Sequence, residues 1–212
     1  MSNEAVVHVI DDDEAIRESL AFLLESADIE VKTYESANLF LENLSHGMHG
    51  CVVTDIRMPG VSGLDLLRQL RTMGVPLPVI VITGHADVPL AVEAMKSGAV
   101  DFIEKPFDDE AFLSTIRSAL RQHEKDARRE AERSEIHTRL AALSGRERQV
   151  LEGLVAGYPN KTIAFDLGIS ARTVEIYRAN VMTKMQATSL SDLVRMALVA
   201  GVLGPDNEPT HI

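Results

Sequence analysis

The chain contains almost no cysteine: Cys51 is the only one among its 212 residues. A single thiol excludes a disulfide within the chain and is typical of proteins kept in a reducing compartment. Cys51 lies inside the apolar run CVVT, so we expect a buried thiol with a structural role.

Long apolar segments are also absent from the sequence. No window approaches the roughly 18 apolar residues of a membrane-spanning helix. The first residues, MSNEAVVHV, show no basic stretch followed by an apolar core. We therefore expect a soluble, cytoplasmic protein with no membrane partner.

Positive charge is scarce and unevenly distributed. The chain carries 21 Lys and Arg against 32 Asp and Glu, a formal net charge of −11. Residues 1–123 hold 9 basic and 20 acidic residues, whereas residues 144–212 hold 7 of each. An acidic first half argues against bulk attraction to nucleic acid, but a neutral second half can still carry a local basic face. The length and this asymmetry favour two small domains with separate cores.

Strand-like apolar runs alternate with helical patterns from Val6 to about His123. VVHVI, VKTY, CVVT, VIVIT and DFIE are each followed by an amphipathic segment. This alternation predicts an α/β fold, a doubly wound five-stranded parallel sheet with helices on both faces. Residues 124–139 contain no Gly or Pro and carry opposite charges three or four apart, which predicts a solvated helical linker. A sustained coiled coil is the alternative, although apolar positions thin out along this segment.

From Leu143 onward the pattern is purely helical. The expected helix caps and stops are Ser144 with Glu147, Gly157, Asn160 and Ser170. Gly168 allows a tight turn between the helices predicted to begin at Asn160 and at Ser170, which makes this pair a helix-turn-helix candidate. The amphipathic segment SDLVRMALVAGV would complete a small all-α domain of four helices.

Polar residues follow four of the five predicted strands. They are Asp11 and Asp12 after the first run, Asp55 after the third, Thr83 after the fourth, and Lys105 with Pro106 after the fifth. Because the carboxyl ends of parallel strands meet at one edge of a sheet, these side chains would share one crevice. Carboxylates suit Mg²⁺, and an aspartate can accept a phosphoryl group covalently. The pattern therefore predicts a site for Mg²⁺ and phosphoryl transfer, in which Lys105 supplies a cation and Thr83 a hydroxyl.

Each of these residues taken alone has a simpler interpretation. An aspartate at a strand end is usually a helix cap, and a single lysine is usually solvated; only the joint pattern favours a site. The same chemistry also serves two functions, a phosphohydrolase that turns over phosphate esters and a switch that is phosphorylated once.

The strand-end motifs resemble those of response-regulator receiver domains over residues 4–123. The resemblance rests on VIDDDE, TDIRMPGVSGLDLL, VITGHADV and GAVDFIEKPF. It implies that Asp55 accepts a phosphoryl group from a partner histidine kinase. It also implies that Asp12, Asp55 and the carbonyl of Arg57 bind Mg²⁺ directly, while Asp11 helps through water.

The receiver resemblance has further implications for switching. Thr83 and Lys105 would contact the phosphoryl group, and Phe102 would turn inward when Thr83 moves. The face around VPLAVEAMKSG and DFIEKPF would then form a homodimer. Arg57 and His85, each two residues after a site residue, are hypothesised to tune the lifetime of the phosphoryl group.

The segment ARTVEIYRANVMTKM has the mixture expected of a DNA recognition helix. Val174, Val181 and Met185 recur at helical spacing and form the predicted inward stripe. The basic residues of 160–185 are candidate phosphate contacts and outnumber the two acidic ones; they are Lys161, Arg172, Arg178 and Lys184. A bundle that makes only protein contacts is the alternative.

Residues 140–204 are similar to the LuxR-type DNA-binding domain, through LSGRERQVLEGLVAGYPNKTIAFDLGISARTVEIYRANVMTKMQA. The resemblance implies that Glu175, Ile176 and Ala179 face the bases. The implied backbone contacts are Asn160, Lys161, Thr173, Arg178 and Lys184.

The two resemblances together imply a two-component transcription regulator. Phosphorylation would dimerise the protein, which would bind promoter DNA and activate transcription with RNA polymerase. The chain would be no enzyme apart from phosphoryl transfer to itself and autodephosphorylation. ITGHADVPLAVEAMKSGAVDFIEKPF and LVAGYPNKTIAFDL are similar to regulators paired with haem-based oxygen-sensing kinases, which implies nitrogen-fixation or low-oxygen genes. A phosphohydrolase and a regulator of the same class with a different regulon remain the alternatives, and a small-molecule sensor would lack a ligand domain.

Overall fold

The structure is a computed structural model that describes residues 5–45, 47–84 and 88–202. The chain divides into two compact units, Met1–Asp126 and Ala127–Ile212. None of the helices in the described part of the chain combines the length and the hydropathy of a membrane-spanning segment.

The first unit is built on one parallel sheet. Its strands are β1 (Val6–Ile10), β2 (Val31–Tyr34), β3 (Gly50–Asp55), β4 (Val79–Thr83) and β5 (Asp101–Glu104). They are ordered β2-β1-β3-β4-β5, and every neighbouring pair is parallel. The apolar runs form the central strands because both of their faces are covered. The predicted doubly wound five-stranded sheet is confirmed.

Helices cover both faces of this sheet. They are α1 (Glu14–Ser26), α2 (Ala37–Glu42), α3 (Gly63–Thr72), α4 (Val88–Lys96) and α5 (Asp109–Ala141). Side chains of α1 and α5 pack on one face, and those of α2, α3 and α4 pack on the other. Cys51 is buried in the first of these cores, as expected, and its burial raises the pKa of the thiol to about 12.

Gly50 opens β3 at a point where a side chain cannot be accommodated. Its φ is +120°, and a Cβ atom would lie 1.7 Å from the carbonyl oxygen of Val6 on β1. We expect Gly50→Ala to lower the free energy of unfolding of the receiver by about 3 kcal/mol or more, as measured by urea denaturation. Gly74→Ala is the matched control, because Gly74 also has positive φ but no atom within 4 Å of its Cβ position. Equal losses in the two variants would contradict a steric origin.

The second unit is helical. After the end of α5 it contains α6 (Gly145–Val155), α7 (Asn160–Leu167), α8 (Ala171–Met185) and α9 (Leu190–Val199). The apolar faces of these helices enclose one core. Residues 124–139, the predicted linker, lie wholly within α5.

Most of the predicted caps of this unit are present. The capping box of Ser144 and Glu147 opens α6, Ser170 caps α8, and Gly168 ends α7 with φ of 65°. The prediction that Asn160 caps α7 is wrong. Pro159 occupies the cap position with φ −61° and ψ 148°, so Asn160 is the first helical residue and no side chain caps the helix. The fixed φ of proline suits this junction, and α7 consequently begins one residue earlier than expected.

Candidate functional site

A salt-bridged cluster lies at the carboxyl edge of the sheet. The Lys105 Nζ donates to Asp11 Oδ2 at 2.8 Å and to Asp55 Oδ1 at 3.0 Å. Asp11 follows β1, Asp55 ends β3, and Lys105 follows β5, so three strands bring these groups together. Asp11 and Asp55 are 2% and 8% exposed. The convergence predicted from the strand ends is therefore present for these three side chains.

The surroundings of Lys105 keep it charged. Burial opposes its charge, but the hydrogen bonds to Asp11 and Asp55 outweigh this effect and raise the pKa of Lys105 above 10.5. The part of the stability that depends on the Lys105 proton is therefore fully present below pH 10.5 as long as the two carboxylates are ionised, and it is lost as pH rises through the higher folded pKa. The peptide bond between Lys105 and Pro106 is cis, and the Lys105 N–H donates to the Thr83 carbonyl at 2.8 Å.

The turn after β1 holds Asp11 by several of its polar atoms. Asp11 Oδ1 accepts from the Asp13 N–H at 3.0 Å, and the Asp11 carbonyl accepts from Arg17 Nη1 at 2.8 Å. Asp13 also caps α1 by accepting from the Ala15 N–H at 2.9 Å. Asp12 projects to solvent from the same turn. The cap role of Asp13 was not predicted, although an aspartate just before a helix is a signal for one.

The turn after β3 orients Asp55. The Arg57 N–H donates to Asp55 Oδ2 at 2.6 Å, so each carboxylate oxygen of Asp55 has a hydrogen-bond donor. Gly63 packs on the Asp55 backbone, where a Cβ atom would lie 2.1 Å from the Asp55 carbonyl oxygen. The Arg57 side chain is exposed, and His85 lies outside the described residues.

Thr83 and Phe102 occupy neighbouring strands. Thr83 ends β4 and is 1% exposed. Phe102 on β5 is paired with Val81, two residues before Thr83, and packs against the core beneath α4. Residues two apart on a strand share a face, so Phe102 lies beside the strand segment that carries Thr83.

The recognition-helix candidate α8 shows the predicted division of faces. Val174, Val181 and Met185 are fully buried, which confirms the inward stripe. Glu175, Ile176 and Ala179 are exposed, as is Arg172, whereas Thr173 and Arg178 are half-buried. The Thr173 N–H donates to the Ser170 hydroxyl at 3.1 Å.

Predicted contact residues of two helices line one cleft of about 480 Å³. Asn160 and Lys161 enter it from the start of α7, and Glu175 and Arg178 enter it from α8. Backbone N–H groups at a helix start and basic side chains are the usual partners of DNA phosphates. The structure thus brings together four of the predicted DNA contacts.

The Lys184 ammonium, one of the predicted DNA contacts, has partners within the protein. Its Nζ donates to Glu147 Oε2 at 2.7 Å and to the Ala142 carbonyl at 3.3 Å. Glu147 thereby serves both the capping box and an ion pair, and the ion pair was not predicted. The partners are 37 positions apart in the sequence, which explains why local spacing did not predict this contact.

Glu147 gives this unit an acid-sensitive contact. Hydrogen bonds from Lys184 and from the Ser144 N–H lower the pKa of Glu147 from 4.5 to about 2. Because folding lowers the pKa of Glu147, the stabilising effect of its carboxylate is complete above pH 4.5 and is lost as pH falls through about 2. We expect the melting temperature of Glu147→Gln to depend less on pH than that of the wild type between about pH 5 and about pH 3. Glu152→Gln on the same helix is the control, and an identical pH dependence in all three proteins would contradict the role of Glu147.

Two family models match this chain. The response regulator receiver domain matches residues 7–117, and the luxR family of bacterial regulatory proteins matches residues 141–197. Transcriptional regulatory protein FixJ from Azorhizobium caulinodans is 60% identical over 207 residues, 98% of this chain and 98% of that protein. This chain belongs to the FixJ-type response regulators.

Solved structures agree with this family. Response regulator StyR is 40% identical with a TM-score of 0.84, over 92% of this chain and 98% of that one. Full-length FixJ from B. japonicum is 54% identical with a TM-score of 0.60, over 95% of this chain and 100% of that one. A response regulator of this type is a transcription regulator rather than a metabolic enzyme, and its domains imply a histidine kinase and DNA as partners.

Receiver domains generally bind Mg²⁺ at the phosphorylation site. The carboxylate oxygens of Asp11 and Asp55 in this response regulator are of the kind that this ion binds. Among the residues that the structure describes, no three His, Cys, Asp or Glu side chains form a metal cage. Mg²⁺ does not need one, because it commonly uses one or two carboxylates and keeps several waters. The Lys105 ammonium forms an ion pair with Asp11 and another with Asp55, so a positive charge already lies beside both carboxylates.

Proposed function

We propose that Asp55 is the phosphoacceptor of this regulator and that a partner histidine kinase is the donor. A carboxylate oxygen of Asp55 attacks phosphorus, the bond from phosphorus to the donor nitrogen breaks, and an acyl phosphate forms. The observation that carries the proposal is the Lys105 ammonium, 2.8 Å from Asp11 and 3.0 Å from Asp55. A fixed cation at this position can neutralise charge on the transferring group, while Thr83 offers a hydroxyl.

The proposed metal is Mg²⁺, held by Asp12, Asp55 and the backbone carbonyl of Arg57, with Asp11 acting through water. Bound there, it would neutralise phosphoryl oxygens. The Arg57 N–H, 2.6 Å from Asp55 Oδ2, keeps one carboxylate oxygen oriented. Autodephosphorylation at Asp55, tuned by Arg57 and His85, would reset the switch.

Phosphorylation would act through Thr83 and Phe102 on the face formed by α4 and β5. Added charge at a site biases a two-state element, and the two residues lie on neighbouring strands that lead to this face. Val88, Val92 and Met95 are exposed at helical spacing on α4, and such an apolar stripe is suited to a homodimer contact.

The dimer would place two copies of α8 on promoter DNA. Glu175, Ile176 and Ala179 would read bases, with Glu175 accepting from a cytosine amino group. The proposed backbone contacts are Asn160, Lys161, Arg172, Thr173, Arg178 and Lys184. The cleft shared by α7 and α8 supports this assignment.

The proposed organisation is a receiver over 4–123, a helical linker over 124–139 and a DNA-binding domain over 140–204. The regulator would work in the cytoplasm, recruit RNA polymerase and activate nitrogen-fixation or low-oxygen genes. The similarity to FixJ of A. caulinodans over 98% of the chain supports this regulon.

A footprint on genomic DNA tests the proposal. Wild type, Asp55→Asn and the control Asp28→Asn would be compared with and without a small phosphodonor and Mg²⁺. Asp28 is exposed at the opposite end of the sheet, and its φ of 58° suits asparagine. We expect phosphodonor-dependent protection by wild type and Asp28→Asn, and none by Asp55→Asn. Equal protection with and without the phosphodonor, in both wild type and Asp55→Asn, would contradict the proposed switch.

A further inference from the structure

We propose that the last turns of α5 are an integral part of the DNA-binding unit and that Arg139 positions the recognition helix α8. This inference rests on the proposed role of α8 in DNA recognition. It extends the functional unit beyond the residues 141–197 matched by the luxR family model, because Arg139 lies before them.

The first observation is the burial of the end of α5 in the helical core. Ile136 and Leu140 are each 3% exposed. They belong to the same apolar cluster as Val181 and Met185 of α8. Burying apolar side chains this deeply stabilises a folded unit, so the end of α5 is a core element of the unit.

The second observation is the contact of Arg139 with the end of α8. Arg139 Nη1 donates to the Met185 carbonyl at 3.1 Å, and Nη2 donates to Glu135 one turn earlier on α5. Met185 is the last residue of α8. The last carbonyls of a helix have no partner within it and carry partial negative charge, so a guanidinium there both satisfies a bond and complements the dipole.

Two further contacts involve the end of α5 or the turn after it, one with α9 and one with α8. Arg195 of α9 donates to Glu132 of α5 at 2.6 Å, and Lys184 of α8 donates to the Ala142 carbonyl just after α5 at 3.3 Å. The end of α8 is therefore tied to α5 and to the turn that follows it. Because α8 is a rigid rod of 15 residues, roughly 22 Å long, the position of its end also sets where Glu175 and Ile176 lie.

A direct contact of Arg139 with a DNA phosphate is the competing explanation, since arginine is a common phosphate partner. The two roles differ in their salt dependence. Losing one phosphate contact reduces the slope of log K against log salt by about 0.9. Losing a residue that acts only through the position of α8 weakens binding at every salt concentration and leaves the slope unchanged.

The test measures DNA binding of the full chain by fluorescence anisotropy over a salt series, with beryllofluoride and Mg²⁺ present and a footprinted site as the probe. For Arg139→Met we expect roughly tenfold weaker binding with an unchanged slope. Arg139→Lys should recover part of the affinity, because lysine can still donate to one carbonyl. Arg133→Met, an exposed arginine on the same helix, is the control and should bind like wild type.

The reference for a phosphate contact is Arg172→Met, which should lower the slope by about 0.9. Binding by Arg139→Met within twofold of wild type, or a slope reduced as in Arg172→Met, would overturn the inference. Should circular dichroism show that Arg139→Met is unfolded, Glu135→Ala replaces it, because alanine removes the acceptor that orients the Arg139 guanidinium, and unchanged affinity there would also overturn the inference. Absence of salt-dependent specific binding by wild type would instead refute the proposed function.

Discussion

Lys105→Met is expected to be phosphorylated by a small phosphodonor roughly a hundredfold more slowly than wild type. The ammonium lies between the carboxylates of Asp11 and Asp55. Without it, Mg²⁺ alone would have to offset the negative charges that the transferring phosphoryl group approaches. The measurement is the initial rate of phosphoprotein formation at saturating Mg²⁺, resolved by phosphate-affinity electrophoresis.

Two controls separate this chemical effect from a loss of folding. Lys32→Met removes an exposed lysine from β2 and should leave the rate unchanged. Lys105→Met also leaves two nearly buried carboxylates without their partner, which destabilises proteins by about 3–5 kcal/mol in fully buried cases and by less here. Adding Asp11→Asn should recover part of that stability in urea denaturation without restoring the rate. A rate for Lys105→Met within threefold of wild type would refute the proposed role of Lys105.

Val92→Glu is expected to keep the phosphorylated regulator monomeric. Val92 lies between Val88 and Met95 on the exposed apolar stripe of α4, so a dimer through this stripe would bury the new carboxylate. Burying an unpaired charge is strongly unfavourable, and we expect at least about a hundredfold weaker dimerisation. Sedimentation velocity with and without a small phosphodonor would measure the change.

The control for Val92→Glu is Phe22→Glu, an equally severe change on α1. Phe22 is 76% exposed and lies on another helix of the receiver. Both variants should be phosphorylated at the wild-type rate, but only Val92→Glu should fail to dimerise. Dimers that form without phosphate, or that survive in Val92→Glu, would refute this interface.

Much of the candidate phosphorylation site could be predicted from local patterns. Asp11, Asp55 and Lys105 each follow an apolar run, and parallel strands bring their carboxyl ends to one edge. The inward stripe of α8 could likewise be predicted, because Val174, Val181 and Met185 repeat with helical spacing. These features depend only on periodicity and on which residue follows an element.

Local patterns were less successful at helix starts. The wrong assignment of Asn160 as a cap shows that an asparagine before a helical run does not identify the boundary when proline precedes it. Asp13 caps α1, although it directly follows the acidic pair Asp11 and Asp12 and the strand-end pattern gives it no role. Shifting a helix boundary by one residue turns a cap position into a helical position, and residue propensities do not locate the boundary that accurately.

The sequence by itself determined the two-part organisation, the order of strands and helices along the chain, and the identity of the residues at the strand ends. Each of these follows from short-range periodicity and from the chemistry of single positions. Only the tertiary structure decided the partners of charged side chains in the helical unit. The contact of Arg139 with Met185 spans 46 residues, and that of Lys184 with Glu147 spans 37. Such contacts depend on the packing of whole elements, which brings distant residues within hydrogen-bonding distance and leaves no mark in the local sequence.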